Sequence, residues 1–168
     1  MERIKILLVE DDLIDQMAFK RLVKDAKLSY DYKIAGSVSA AKEILQSEKF
    51  DIVITDYNLG DGTAFDIFEY IIDTPFIFIT GGGDEELAVK ALKAGAFHYQ
   101  IKDHQRNYLK VLPSTVEKAI KQKQTEDEKK KAQEELRQSK NRLDIVLHSI
   151  GDGVIVIDEK QKIIIINR

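Results

Sequence analysis

Short apolar runs alternate with apolar residues at helical spacing along the first 120 residues of the chain. The first of them, Ile4 to Val9, is a continuous run, which is typical of a strand that is buried on both faces of a parallel sheet, whereas the second is weak. The runs lie at 4–9, 33–35, 51–55, 76–79 and 97–101, and helical spacing follows them at 13–23, 41–45, 65–72, 84–94 and from about 107. Five consecutive strand-helix units with short connections predict an α/β fold with right-handed crossovers and helices on both faces of the sheet.

Composition adds few constraints to this picture. The 168 residues, 43% hydrophobic and 33% charged, suit one domain of typical size plus an appendage. The net charge of −3 gives no sign of a nucleic-acid partner, and the absence of cysteine excludes a disulfide framework, a thiolate metal site and a cysteine nucleophile. The first apolar run is too short for a signal peptide or a membrane span, so we expect no membrane contact and a cytoplasmic location.

Reactive side chains stand where four of the apolar runs end. Glu10 and Asp11 follow the first run, Asp56 the third, Thr80 the fourth and Lys102 the fifth. In an open parallel sheet, functional side chains gather in the crevice beyond the carboxyl ends of the strands. One acidic residue at such a point is often only a loop or helix-capping residue. Their joint occurrence predicts a site that combines carboxylates, a hydroxyl and an ammonium group.

The strand ends carry recognisable motifs, which read VEDD at 9–12, ITDYNL at 54–59, FITGG at 78–82 and YQIKD at 99–103. With these motifs the chain resembles the receiver domain of two-component response regulators over about residues 3–122. The resemblance implies a doubly wound five-stranded sheet with the flavodoxin-like strand order 2-1-3-4-5. It also implies Mg²⁺ as the cofactor, and a histidine kinase or phosphotransfer protein as the partner that donates a phosphoryl group.

The acidic residues suit a magnesium ion, which takes oxygen ligands in an octahedron and keeps several waters. The resemblance makes Asp56 both the phospho-acceptor and a direct ligand. Asp11 is then the second ligand, Glu10 acts directly or through water, and the backbone carbonyl of Asn58 supplies a further oxygen.

The remaining site residues face the phosphoryl group in the receiver pattern. Thr80 would donate its hydroxyl and Lys102 its ammonium to the phosphoryl oxygens, and Tyr99 would turn inward when Thr80 moves. Asn58 and Gly82 would lie beside the phosphoryl group. Because a glycine has no side chain to shield the acyl phosphate from water, we predict a lifetime no longer than minutes.

Two positions depart from the receiver pattern. Asp103 follows Lys102 where receivers usually carry a proline, often after a cis peptide bond. A non-proline cis bond costs ~3–4 kcal/mol, so we predict a trans or rearranged loop. Gly60 replaces a frequent proline in the loop after Asp56 and should loosen that loop.

Residues 123–149 follow the predicted receiver domain, which we assign to 1–122, and are almost entirely polar as far as Arg142. Glycine and proline are absent from 114–150, so the segment is predicted to be helical. Leucines 136, 143 and 147 and Ile150 fall on the a and d positions of one heptad frame, but polar residues occupy the frame upstream. The segment is therefore either a solvated single helix or a coiled coil, and we expect a homodimer.

The last residues, 150–168, change character again. Apolar, β-branched runs at 154–157 and 163–166 are joined by a polar turn, which predicts a β-hairpin. The stretch NRLDIVLHSIGDGVIVIDEKQKIIIINR resembles the entry helix and first two strands of a PAS sensor domain. A lone hairpin is marginally stable in water, so we expect a truncated PAS-like domain, with any catalytic output module beyond residue 168.

The leading interpretation is therefore a phospho-accepting receiver that switches a PAS-linked output and is at most a slow self-phosphatase. Two alternatives remain. A hydrolase with an aspartyl-phosphate intermediate, like the haloacid-dehalogenase-like phosphatases, places a second Asp as general acid two residues after the nucleophile. That position is Asn58, which has no proton to give. The other alternative is an interaction scaffold that works without phosphorylation.

Overall fold

A computed structural model of the chain describes residues 3–82, 85–149, 155–157 and 163–166. The chain divides into two compact units, Met1–Lys123 and Gln124–Arg168. The elements in chain order are β1 (Ile4–Val9), α1 (Leu13–Asp25), β2 (Tyr30–Ala35), α2 (Val38–Ser47), β3 (Ile52–Asp56), a 3-10 helix (Ala64–Tyr70), β4 (Phe76–Thr80), α3 (Glu85–Lys93), β5 (His98–Ile101), α4 (Asn107–Ser149), β6 (Ile155–Ile157) and β7 (Ile163–Ile166).

The first five strands form one parallel sheet in the order β2-β1-β3-β4-β5, which confirms the predicted fold class. Their register sets the carboxyl ends side by side. Val9 lies opposite Thr55, Asp56 opposite Ile79, and Thr80 opposite Ile101. The residues that end β1, β3, β4 and β5 therefore meet at one edge of the sheet.

Two apolar clusters cover the two faces of this sheet. Leu7 and Val9 of β1 face the cluster formed with α2, the 3-10 helix and α3, whereas Ile6 and Leu8 face the cluster formed with α1 and α4. The side chains of a strand alternate between faces, so a continuous apolar run supplies both clusters. This arrangement confirms the expected helices on both faces.

Polar side chains fix where the first two helices begin. Asp12 accepts hydrogen bonds from backbone N–H groups in the first turn of α1, and Ser37 caps α2 in the same way. A second acceptor at α2 comes from the loop after β3, where Asp61 accepts from the backbone N–H groups of Val38 at 2.7 Å and Ser39 at 3.1 Å. This loop is therefore tied to the start of α2.

The edge strand β2 is longer than the predicted 33–35 and covers Tyr30–Ala35. Asp31 and Lys33 are exposed, and Tyr30, Tyr32 and Ile34, which alternate with them, are only half-buried. One face of β2 packs on the cluster formed with α1 and α4 while the other face is exposed, so its sequence alternates instead of forming the continuous run of a central strand.

The segment after β3 forms a 3-10 helix, Ala64–Tyr70, where helical spacing predicted a helix over 65–72. Side chains three residues apart lie on the same side of a 3-10 helix. Ala64 and Ile67 are fully buried at this spacing, and the rings of Phe65 and Phe68 contact each other at 5.0 Å between centroids. Tertiary packing at three-residue intervals thus determines the helix type.

The C-terminal elements agree with the sequence pattern. α4 is one helix over Asn107–Ser149, and β6 pairs antiparallel with β7 as the predicted hairpin requires. The residues around this hairpin at 150–154, 158–162 and 167–168 lie outside the described part of the chain. Within the described part, no helix has both the length and the apolar character needed to cross a membrane.

Candidate functional site

Three carboxylates meet at the carboxyl edge of the sheet. Glu10 and Asp11 follow β1 and Asp56 ends β3, and one oxygen of each lies within 4.8 Å of the others. Glu10 is buried, Asp56 is partly buried and Asp11 is exposed, so the cluster opens to solvent on one side. Such a set of carboxylate oxygens fits a hard divalent cation such as Mg²⁺, which keeps water in its remaining positions.

Lys102 from the end of β5 enters this cluster. Its ammonium nitrogen lies 2.6 Å from Asp56 Oδ2, 2.8 Å from Glu10 Oε2 and 2.9 Å from Asp15 Oδ2. Burial by itself lowers the pKa of a lysine, but the hydrogen bonds to Asp15, Asp56 and Glu10 outweigh it and raise the pKa of Lys102. The ammonium is therefore charged throughout the physiological pH range.

Glu10 is the most buried acid of the site. Burial raises the pKa of this carboxyl to about 7, against the hydrogen bond and the positive charge of Lys102, and the charge of Asp56 adds to the rise. Two neighbouring groups hold Glu10 in place, because its Oε1 accepts from the backbone N–H of Asp12 and its carbonyl accepts from the Gln16 side chain.

Asp15 belongs to the site although no motif pointed to it. It lies in the first turn of α1, where acidic residues are common because they interact favourably with the helix N-terminus. Its Oδ2 accepts from Lys102, and its Oδ1 accepts from Arg106 Nε at 3.3 Å. The sequence carried no signal for this role, since Lys102 and Arg106 lie far along the chain.

The predicted residues Thr80, Gly82 and Tyr99 also come together. The Gly82 backbone N–H donates to Thr80 Oγ1 at 3.3 Å, and the Tyr99 hydroxyl donates to the Gly82 carbonyl at 3.0 Å. Thr80 is buried, while Tyr99 is half-buried with its ring stacked on Phe78. Gly82 thus connects the hydroxyl at the end of β4 with the aromatic residue of β5.

The loop after Asp56 carries Asn58, which is exposed and pairs with Thr63 in a short antiparallel bridge. Gly60 has φ +64°, which proline cannot adopt, and a Cβ there would lie 3.3 Å from Asp11 Oδ2. Backbone conformation and the nearby carboxylate both favour glycine at this position. The hydrogen bonds of Asp61 described above hold the other end of the loop.

Asp103 occupies the position where receivers usually carry proline. The peptide bond between Lys102 and Asp103 is trans, as predicted. The Asp103 carboxylate accepts from the backbone N–H of Asn107 at 2.9 Å and of Tyr108 at 3.1 Å, and these bonds hold the pKa of Asp103 below its usual range. The residue after the site lysine therefore caps the long helix α4.

This fold and site define a receiver domain. The chain belongs to the response regulator receiver domain family, whose sequence pattern it matches over residues 6–112. Members of this family act in two-component signalling, typically bind Mg²⁺ and typically interact with histidine kinases or phosphotransfer proteins.

Individual relatives agree with this assignment. The response regulator protein PilR of Pseudomonas aeruginosa is 35% identical over 119 residues, which are 68% of this chain and 26% of PilR. The methanogenesis regulatory protein FilR1 of Methanothrix harundinacea is 26% identical over 122 residues, which are 68% of this chain and 27% of FilR1. The chain thus spans about a quarter of the length of these curated relatives.

Solved structures show the same architecture. The non-phosphorylated HemR receiver domain of Leptospira biflexa is 30% identical and superimposes with a TM-score of 0.58, covering 68% of this chain and 94% of that domain. A response regulator receiver domain protein of Clostridium thermocellum is 26% identical with a TM-score of 0.63, covering 73% of this chain and 98% of that chain.

Proposed function

We propose that Asp56 accepts a phosphoryl group from a phosphohistidine of a kinase or phosphotransfer protein, and that the acyl phosphate switches an output linked through α4. One observation carries the proposal. The Asp56 carboxylate accepts a hydrogen bond from the Lys102 ammonium and also belongs to the cluster of carboxylate oxygens that it forms with Glu10 and Asp11. A nucleophile, a cation site and a fixed positive charge are the parts that phosphoryl transfer to a carboxylate requires.

The reaction is a displacement at phosphorus. A bond forms between an Asp56 oxygen and the phosphorus atom while the bond from phosphorus to the imidazole nitrogen breaks, and the imidazole leaves with the electron pair. Glu10, Asp11, Asp56 and the Asn58 carbonyl would hold Mg²⁺, which supplies charge neutralisation for the phosphoryl oxygens when bound. The ammonium of Lys102 would be a further donor to these oxygens.

The switch would use Thr80, Gly82 and Tyr99. Thr80 Oγ1 accepts a hydrogen bond from the Gly82 N–H, and the Tyr99 hydroxyl holds the Gly82 carbonyl. When the Thr80 hydroxyl turns to a phosphoryl oxygen, its bond to Gly82 is lost, and the contact of Tyr99 changes with it. A ligand that favours one of two local arrangements shifts the population in this way.

The output side of the proposal rests on α4 and the hairpin. Leu136 and Leu143 share one heptad position and are 72% and 60% exposed, so each side chain is accessible to a second copy of the helix. We assign 1–122 to the receiver, 123–149 to a helical linker that pairs in a homodimer, and 150–168 to the start of a PAS-like domain. This pairing would carry the signal from one unit to the other.

The two rival functions meet specific objections. A hydrolase of the dehalogenase type needs a general acid two residues after the nucleophile, where this chain has the amide of Asn58. A scaffold that works without phosphorylation has no use for a buried Glu10 and a charged Lys102 beside Asp56. Both objections favour the phosphorylation switch.

Mass spectrometry of the intact chain after incubation with acetyl phosphate and Mg²⁺ tests the proposal. We expect one phosphoryl group on Asp56 and no labelling in EDTA or in Asp56→Asn. Asp11→Asn should need a higher Mg²⁺ concentration for the same labelling, because a ligand charge is lost and the cation binds more weakly. A hydrolase would release phosphate continuously without retaining the label, and a scaffold would gain none. Labelling that persists in Asp56→Asn would refute the assignment.

A further inference from the structure

A third carboxylate holds the site lysine, and it comes from outside the strand-end motifs. We infer that Asp15 is a positioning residue that keeps the Lys102 ammonium at the phosphorylation site. This inference rests on the proposed function. Lys102 and Asp15 are 87 residues apart in sequence, and their side chains meet because the first turn of α1 lies beside the loop after β5.

The ammonium of Lys102 has as many acceptors around it as it has N–H donors. A lysine ammonium has three N–H donors, and Asp56, Glu10 and Asp15 each provide an acceptor within 2.9 Å. The side chains of Lys102 and Asp15 are only 14% and 18% exposed, so water screens their attraction less than at an open surface. Loss of Asp15 would leave one N–H without its acceptor and free the ammonium to move.

Asp15 differs from the other two acceptors because it is not part of the cation cluster. Among the residues that the structure describes, the carboxylates whose oxygens come close enough to share an ion are those of Glu10, Asp11 and Asp56. A divalent cation would therefore compete with Lys102 for Glu10 and Asp56 but not for Asp15. Asp15 is the acceptor that continues to hold the ammonium when the cation and the phosphoryl group are present.

Arg106 supports this role by fixing the Asp15 carboxylate. Its Nε donates to Asp15 Oδ1, which leaves Oδ2 for Lys102. The Arg106 contact is 3.3 Å long and the side chain is 45% exposed, so its contribution is smaller than that of the Lys102 contact. The two bonds together leave the carboxylate one favourable orientation.

The test compares Asp15→Asn with Asp25→Asn, an exposed aspartate at the other end of α1 whose replacement removes the same charge. The rate of Asp56 labelling by acetyl phosphate at saturating Mg²⁺ should fall roughly tenfold in Asp15→Asn, because the amide keeps a carbonyl acceptor but loses the charge that strengthens the hydrogen bond from Lys102. Asp25→Asn should label at the rate of the unmodified chain. An unchanged or faster rate in Asp15→Asn would overturn the inference.

A double-mutant cycle shows whether Asp15 acts through Lys102. In a Lys102→Ala background, Asp15→Asn should cause no further loss, whereas an equal loss in both backgrounds would mean that Asp15 acts independently, and the inference would fail. A second readout needs neither metal nor phosphorylation. The NMR signal of the Lys102 ammonium, assigned with Lys102→Arg, should broaden through faster hydrogen exchange in Asp15→Asn and stay sharp in Asp25→Asn.

These measurements separate the two proposals. If the unmodified chain gains no label on Asp56, the proposed function fails, and the NMR comparison still decides whether Asp15 positions Lys102. If the chain is labelled and Asp15→Asn matches it in rate and in NMR signal, only the positioning role is wrong.

Discussion

The Lys102 ammonium donates a hydrogen bond to Asp56 Oδ2 over 2.6 Å, and so pairs the candidate phospho-acceptor with a cation from the end of β5. The same ammonium contacts Glu10, so it neutralises part of an acidic pocket whose members would otherwise repel each other. This relationship connects the stability of the receiver to the occupancy of its cation site.

Replacement of Lys102 by methionine should destabilise the fold. The change leaves carboxylates close together without a cation, and we expect the free energy of unfolding at pH 7 to fall by about 2 kcal/mol, below the cost of breaking a fully buried ion pair because the site opens to solvent. Mg²⁺ should stabilise Lys102→Met more than the unmodified chain, since the ammonium no longer competes for Glu10 and Asp56. Urea unfolding with EDTA or Mg²⁺ measures both effects.

The control for this experiment is Lys20→Met, which removes an exposed lysine of α1. Its stability should stay within about 0.5 kcal/mol of the unmodified chain. Equal stabilisation by Mg²⁺ in Lys102→Met and in the unmodified chain would contradict competition between ammonium and cation.

Asp103 should make the stability of the receiver depend on pH. Hydrogen bonds from the N–H groups of Asn107 and Tyr108 lower the pKa of Asp103, so its carboxylate stabilises the fold at pH values above the unfolded pKa of about 3.9. That contribution is lost as the pH falls through the lower folded pKa. In Asp103→Asn the side chain keeps its shape and one carbonyl acceptor, but it no longer has a group that titrates.

We therefore expect Asp103→Asn to have a lower urea midpoint than the unmodified chain at pH 7, and the difference to shrink below about pH 4. Urea unfolding followed by circular dichroism at several pH values measures it. A difference that stays constant from neutral to acidic pH would show that the carboxylate of Asp103 does not contribute through its charge.

The lifetime of the acyl phosphate should depend on residue 82. A Cβ at Gly82 would meet no atom within 4 Å, so a larger side chain is sterically tolerated there. Gly82→Tyr should slow the loss of label by shielding the phosphoryl group from water. Gly82→Ala adds only a methyl group, so it should lose its label as fast as the unmodified chain does. The decay of the phosphorylated mass after removal of acetyl phosphate measures this, and equal decay in all three would disprove shielding.

The oligomeric state should depend on the leucines of the heptad frame. The unmodified chain is expected to be a dimer by light scattering, and a chain that ends at Lys121 a monomer. The double variant Leu136→Lys with Leu143→Lys should also be monomeric, because two charges would enter the helix interface. Ile145 is 70% exposed but lies outside that frame, so Ile145→Lys should remain dimeric. A monomeric unmodified chain would refute the pairing model.

The central strands were predictable from the sequence for a simple reason. β1, β3 and β4 are buried along most of their length, so each is mostly apolar apart from Lys5 near the start of β1 and the polar residues at the ends of β3 and β4. The half-exposed edge strand β2 gave a weaker pattern, and its prediction at 33–35 was too short. The sequence does not show that Ala64–Tyr70 is a 3-10 helix, because short apolar patterns with periods of three and of 3.6 residues are hard to distinguish.

The sequence by itself determined the strand-end part of the site. Glu10, Asp11, Asp56, Thr80 and Lys102 each end an apolar run, and parallel strands bring their carboxyl ends to one edge whatever the details of packing. Their proximity therefore follows from local pattern and topology together.

The tertiary structure alone decided the contacts that come from helices and loops. Asp15 meets Lys102 and Arg106 only because α1 and the loop after β5 pack against each other. The contact of Asp103 with the backbone N–H of Asn107 is local, but it depends on the conformation of that loop. An acidic residue in the first turn of a helix is favourable wherever that helix packs. The position of Asp15 in the sequence therefore does not indicate that it binds Lys102. Contacts between side chains that are far apart in sequence leave no periodic signal in the sequence. The position of the Lys102 ammonium depends on such contacts.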